Sequence, residues 1–240
     1  ECRLRSCPAT GRMPVNGDVT AVWLTLKLAA LTSCILLIIA TPVAWWLSCW
    51  QHRLKSVVLS VIALPLILPP TVLGFYLLLA FAPDSWPGQW WQSVFGTSLA
   101  FSFSGLVIGS VIYSLPFAVQ PLYTGFTQLD RRYLEVGKTF NMGKFARFSR
   151  IVVPLCQSYF CVALGLTFAH TIGEFGVVLM IGGNIPGETQ VIAIALYDHV
   201  EMGQYQQAHW LAAGLMLFSF LLLCILYGAN RGGGRQWNFR

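Results

Sequence analysis

Five long stretches of this chain, 19–49, 57–81, 98–122, 152–181 and 208–229, are almost free of charge. A helix crosses the ~30 Å hydrocarbon core of a bilayer in roughly 20 residues, and each stretch is long enough. Lipid offers no partner to backbone N–H and C=O groups, so only helices or closed barrels can span it. The stretches are continuously apolar rather than alternating, which predicts helices. Only 10% of the residues are charged and 56% are apolar, whereas soluble domains run at roughly 25% charged. The expectation is an all-α integral membrane protein with five transmembrane helices.

The cations lie at the ends of the apolar runs. Arg53 and Lys55 occupy one loop, Arg131, Arg132, Lys138, Lys144, Arg147 and Arg150 another, and Arg231, Arg235 and Arg240 the tail. The loops at 82–97 and 182–207 contain no Lys or Arg but hold Asp84, Glu188, Asp198 and Glu201. The positive-inside rule then sets the N-terminus outside and the C-terminus in the cytoplasm of a multi-pass membrane protein. The formal charge of +6 invites a nucleic-acid reading, but a DNA footprint would lie on a folded soluble face, so no nucleic acid is expected. The chain divides into an external tail at 1–18, a transmembrane domain at 19–229 and a cytoplasmic tail at 230–240. Residues 1–12 read as no helix, anchor or signal core; the chain begins with Glu, and Met13 would make a sensible start. That segment is expected to be a mis-assigned start or a cloning remnant.

Seven cysteines at irregular spacing give no framework, although Cys2 and Cys7 can pair if their segment is native. Four scattered histidines, His52, His170, His199 and His209, offer no metal-ligand spacing. Lys27 lies a turn or two inside the outer boundary and is expected to snorkel to the headgroups. Pro42 is expected to kink the first helix. Trp86, Trp90 and Trp91 in the outer loop fit interfacial anchoring, and Gly105 with Gly109 allows close helix approach.

Two apolar runs contain features that plain packing does not need. The second holds Pro65, Pro69, Pro70, Thr71 and Gly74. Each proline removes an amide donor and clashes one turn back, so a broken helix is expected. Irregular backbone at membrane depth survives only where protein or a water-filled cavity covers it, and either a kinked packing helix or the wall of a translocation path satisfies this. The fourth run ends in Gly173-Glu174-Phe175-Gly176, followed by Asn184-Ile185-Pro186-Gly187-Glu188-Thr189. An acid such as Glu174 at a membrane boundary is a functional candidate, with an interfacial residue satisfied by backbone or water as the plainer alternative. The apolar pieces at 175–181 and 191–197 are too short to span, which disfavours a sixth helix and leaves a re-entrant element open.

The loop at 129–151 is the main polar insert. Asp130 is placed to cap a helix starting at Arg131, and Tyr133, Leu134, Val136, Gly137 and Phe140 give that helix an apolar face, extended by Met142, Phe145 and Phe148. On its own this is either a docking helix for a soluble partner or an amphipathic helix held by anionic lipid. Gly137-Lys138-Thr139 looks like the end of a P-loop, but the required earlier glycine is Arg132. No G-x-S-x-G or H-E-x-x-H occurs, so the chain is expected to be non-catalytic.

The spacing of that loop resembles the coupling loop of ABC-importer permeases, in which an E-A-A run is followed by a glycine and then by I-x-L-P. Glu135 takes the acid, Ile151 the isoleucine and Pro154 the proline. Val136 and Gly137 stand for the alanines, Asn141 for the glycine, and Gly143 follows it. Asn tolerates the left-handed turn, while Gly137 is expected to weaken the helix by ~1 kcal/mol relative to Ala. The proline-rich run and the Ile172–Gly176 and Asn184–Thr189 stretches are similar to those of molybdate permeases; sulfate permeases share G-E-F-G. The resemblance covers roughly 20–228. It implies a type I importer permease fold with a cytoplasmic coupling helix, and a homodimer bound to two cytoplasmic ATPase subunits and an extracytoplasmic oxyanion-binding protein. ATP and Mg would be bound by the ATPase, and no cofactor by this chain. Molybdate or tungstate is the implied cargo, with sulfate or thiosulfate as the alternative. The implied coupling residues are Glu135, Val136, Gly137, Asn141, Gly143, Ile151 and Pro154. The path or gate would be formed by Pro65, Pro69, Pro70, Thr71, Gly74, Gly173, Glu174, Gly176 and Asn184. An ion-driven secondary carrier would show paired intramembrane charges and an inverted repeat; neither is visible.

Overall fold

The computed structural model describes residues 15–231. The expectations for residues 1–12, for a Cys2–Cys7 pair and for the tail beyond Arg231 lie outside the described residues. Three helices carry the frame: α1 (Val15–Cys49), α5 (Phe103–Gln128) and α9 (Gln157–Ile172), all packed on one another. At about 1.5 Å per residue, α1 exceeds the hydrocarbon thickness by several turns. It runs through Pro42, and α5 through Pro116 and Pro121, each as one helical element. Small residues let the frame close: Ala40 and Ala44 of α1 meet Ala118, Val119 and Leu122 of α5 and Ala163 of α9 in a core that excludes solvent. Ser102 accepts from the Gly105 N–H and starts α5.

The remaining helices are α2 (Lys55–Ile67), α3 (Pro70–Phe81), α4 (Trp86–Phe95), α6 (Arg131–Thr139), α7 (Lys144–Arg147), a π-helical turn (Phe148–Val152), α8 (Val153–Leu155), α10 (Gly176–Gly182), α11 (Ile192–Glu201) and α12 (Tyr205–Arg231). Among the described residues, α1, α5 and α12 alone are long and apolar enough to cross a membrane unbroken. The second run is broken, as its prolines predict, and the fourth is broken as well. The second breaks after Ile67 and turns by 108° between α2 and α3; the fourth turns by 74° at Cys156, and α9 then stops at Ile172. Pro65 is not part of the first break, because it lies buried inside α2. The break falls at Leu68–Pro69, and Pro70 begins α3, where a missing N–H leaves no hydrogen bond unmade.

Beyond the frame, α10 packs on α3 and α5, and α12 lies on α9 and α11. Gly165 admits α12, since a Cβ there would come within 2.0 Å of a Leu226 methyl. Much of α12 is otherwise uncovered: Trp210, Met216, Leu217, Phe220 and Ile225 are all exposed. That much uncovered apolar surface suits lipid or another subunit rather than water.

Candidate functional site

Both irregular stretches of the sequence arrive at one place. Gly74 on α3 faces α10 so closely that a Cβ would sit 2.8 Å from the Met180 Cβ and 3.2 Å from the Val177 Cα. Gly176, at the start of α10, approaches the Pro70 ring in the same way, at 2.9 Å. The proline break and the G-E-F-G segment therefore form one contact. Beside it is a cavity of about 510 Å³, lined by Pro70, Thr71, Tyr113, His170, Gly173 and Glu174, with Ala169, Phe175 and Gly176 completing the wall. None of the lining residues is a Lys or Arg.

Glu174 occupies the gap between α9 and α10 and is 3% exposed. Neither carboxyl oxygen makes a well-formed hydrogen bond among the described residues, and the Ser110 hydroxyl, itself without another partner, lies close enough to interact with the carboxyl. Buried polar groups are nearly always partnered, so this acid stands out. His170, one helical turn before Glu174, is held firmly: its Nδ1 is 2.9 Å from Ser114 Oγ, and its ring lies against Phe117 and Tyr113. The sequence reading set His170 aside as a scattered histidine. A spacing of four residues would put both on one face of a continuous helix; α9 stops at Ile172, and the two meet instead as walls of one cavity. Tyr113, on α5, left no signal in the sequence.

Asn184 lies elsewhere. Its Nδ2 donates to Asp198 Oδ2 at 2.7 Å, and Gln190 Nε2 donates to the same oxygen at 2.9 Å. Thr189 Oγ1 accepts from the Ile185 N–H and donates to the Gly182 carbonyl. With Gly183 and Gly187 at positive φ, the run from Asn184 to Thr189 is a self-bonded loop. It is tied to α1 where the Ile192 N–H donates to Thr25 Oγ1. Nearby, His199 bridges Asp18 Oδ1 at 3.0 Å and Gln204 Oε1 at 2.8 Å. Burial pulls the His199 pKa down, but the bonds to Asp18 and Gln204 and the charges of Asp18 and Asp198 outweigh it, leaving it raised.

At the other end of α1 is the 129–151 loop. Asp130 Oδ1 accepts from the Arg132 N–H and caps α6. The expected apolar face is divided in two. Leu134 and Phe148 turn inward onto the core that contains Leu47 and Phe126, while Tyr133, Val136, Phe140 and Phe145 stay exposed, Phe145 at 84%. Asn141 adopts φ +52°, the left-handed turn its position needs. Gly137 is buried against the π-turn: a Cβ would lie 2.7 Å from Ile151 Cδ1 and 3.0 Å from two carbons of Arg147. The close approach gives the glycine a packing role beside its cost in helix propensity. Gly143 starts α7 in open space, and Pro154 sits in the first turn of α8. Glu135 is exposed and, with Lys138, Lys144 and Arg147, lines a second cavity of about 540 Å³.

The family described as binding-protein-dependent transport system inner membrane component matches residues 40–231. The chain is 53% identical over 220 residues to the molybdenum transport system permease protein ModB of Azotobacter vinelandii, covering 91% of this chain and 97% of that one. It is 32% identical to ModB of Haemophilus influenzae, covering 87% and 90%. A sulfate transport system permease protein, CysT of Synechocystis, is 29% identical, covering 84% and 70%. Among solved structures, an inward-facing MetNI methionine ABC transporter superposes with a TM-score of 0.68 at 14% identity, covering 90% of this chain and 96% of that one. A bacterial ABC transporter that imports alginate gives the same TM-score at 14% identity, covering 92% and 80%. At such identities the likeness speaks for the fold, that of a type I ABC-importer permease.

Proposed function

The chain belongs to the family of binding-protein-dependent transport system inner membrane components, and on that footing we propose that it is the membrane-spanning subunit of an ATP-driven importer of molybdate. The observation that carries this is the 53% identity to a molybdenum permease over nearly the full length of both chains; the sulfate relatives are more distant. Tungstate, of the same shape and charge, is taken as a second cargo.

Two copies of this chain would enclose the path, two ATPase subunits would dock on the basic side, and a binding protein would deliver the oxyanion from the opposite side. The N-terminus lies outside and the C-terminus in the cytoplasm, as the clustering of Lys and Arg supports. The exposed side chains Val136, Phe140 and Phe145 are the knobs an ATPase groove would receive. Because Gly137 is wedged on Ile151 and Arg147, α6 cannot slide independently of the π-turn. Force on it passes through α8 into α9, whose far end is the Gly173–Glu174 break. From there it reaches α10 and, through the Gly176–Pro70 and Gly74–Met180 contacts, α3. The cavity beside that pair is the path, and its freedom from Lys and Arg suits a dianion that must pass without being trapped.

The test is ATP hydrolysis by the reconstituted complex with its binding protein, adding molybdate, tungstate and sulfate in turn. Stimulation by the first two is expected; stimulation by sulfate alone would overturn the cargo. Glu135→Ala is expected to leave the complex assembled while transport per ATP falls about tenfold, the equivalent of ~1.4 kcal/mol of coupling. Unchanged coupling would move the docking contact elsewhere.

A further inference from the structure

The cavity beneath α6 has a composition that the transport reading does not use. Lys138, Lys144 and Arg147 line it from α6 and α7, with Ser48 and Gln51 at the end of α1 and Glu135 as its single acid. Three cations against one carboxylate leave a surplus of positive charge. Glu135 does not neutralise any of them within ion-pair distance: among the described residues the only ion pairs are Arg132–Asp130 and His199–Asp18. The Arg147 Nε is buried and has no hydrogen-bond partner among the described residues. Its stem is pinned where a larger residue at Gly137 would collide with Cγ and Cδ, which holds the guanidinium at the cavity. A buried N–H of a cation left without an acceptor is costly, and its natural acceptor is a tetrahedral oxyanion, whose oxygens match the guanidinium fork and the ammonium points.

We propose that this cavity is a binding site for a phosphate-type oxyanion, formed by Arg147, Lys144 and Lys138. The anion has two sources with the same chemistry. One is the phosphate of an anionic phospholipid in the adjoining leaflet, as basic pockets at this depth of a membrane protein accept, with Trp45 lining the same cavity. The other is a free oxyanion on the same side, the imported cargo included. In either case the occupant bridges α6, α7 and the end of α1, and so braces the helix through which the ATPase acts. The inference needs only that this end of the molecule meets the headgroups, and it stands if the cargo is sulfate.

The experiment has two arms, both on the assembled transporter, native and Lys144→Gln/Arg147→Gln. In the first, native mass spectrometry follows retention of phosphatidylglycerol against phosphatidylcholine. In the second, equilibrium binding of inorganic phosphate and of molybdate is measured without the binding protein. A preference for phosphatidylglycerol that falls at least tenfold in the double variant establishes the lipid source. Saturable binding of the inorganic anion that falls likewise establishes the soluble one. Arg147→Lys, which keeps the charge and loses the fork, is expected to fall between, and Lys144→Gln alone serves if the double variant does not assemble. Native and variant complexes indistinguishable in both arms would overturn the proposal, as when a carboxylate of the ATPase fills the cavity instead.

Discussion

The stretch from Gly173 to Thr189 contains two segments whose polar groups are treated in opposite ways. In the first, Glu174 is buried with neither oxygen in a well-formed hydrogen bond, beside a cavity whose lining holds no Lys or Arg. In the second, Asn184 donates to Asp198, as does the adjoining Gln190, and Thr189 bonds the backbone of the same loop. Membrane interiors penalise unpartnered polar groups, so a satisfied network is what a scaffold requires. An unsatisfied acid persists only when something other than stability retains it. On the proposed transport reading, the first segment is the working part and the second its mount.

The comparison is broken most directly at Glu174. Glu174→Gln keeps the shape and removes the ionisable carboxyl from a site whose lining holds no Lys or Arg. Transport in proteoliposomes is expected to fall at least about tenfold while the melting temperature holds or rises, since removing an unpaired buried ionisable group is often neutral or stabilising. A lower melting temperature with normal transport would make Glu174 part of the mount. Gly176→Val attacks the same segment through packing, because its Cβ meets Pro70 at 2.9 Å. Overpacking of this kind costs about 1–3 kcal/mol, and transport should fall several-fold through separation of α3 from α10. Asn184→Ala is the converse. It leaves Asp198 with Gln190 alone and should cost about 1 kcal/mol, or roughly 2–4 °C in melting temperature, with transport per folded molecule unchanged.

The long helices were legible because a continuous apolar run of that length has one solution in lipid, and Asp130 and Asn141 were legible because caps and left-handed turns are local. The break at Pro69–Pro70 was legible for the same reason, but not its 108° turn. That depends on Gly74 meeting Met180 and on Gly176 meeting Pro70, contacts between segments a hundred residues apart. Pro65 looked equivalent to its neighbours because a proline's effect depends on whether its helix has already begun. Propensity alone could not show why Gly137 is a glycine: its close neighbours are Arg147 and Ile151, brought back by the turn at Asn141. Asn184 was grouped with Glu174 because they lie close in sequence, although its partner Asp198 is on α11.

The smallest effect expected lies at the edge of the mount, where His199 joins Asp18 of α1 to α11. Its pKa is raised in the folded protein, with the pull of Asp18, Gln204 and Asp198 outweighing the cost of burial. The folded state therefore binds the proton more tightly than the unfolded chain does. The stabilisation is complete below the unfolded value of about 6.5 and is lost as pH rises through the higher folded value. The titratable groups facing the imidazole are Asp18 on α1 and Asp198 on its own helix. The melting temperature should thus decline by about 1–2 °C between pH 6 and pH 9, and Asp18→Asn should flatten that slope. Because Asp18 is partly exposed, salt should flatten it too. If the slope survives Asp18→Asn, the proton is held by Asp198, and α1 and α11 are tied by the Thr25–Ile192 bond and by the packing of Leu24 and Leu28 with Ile194.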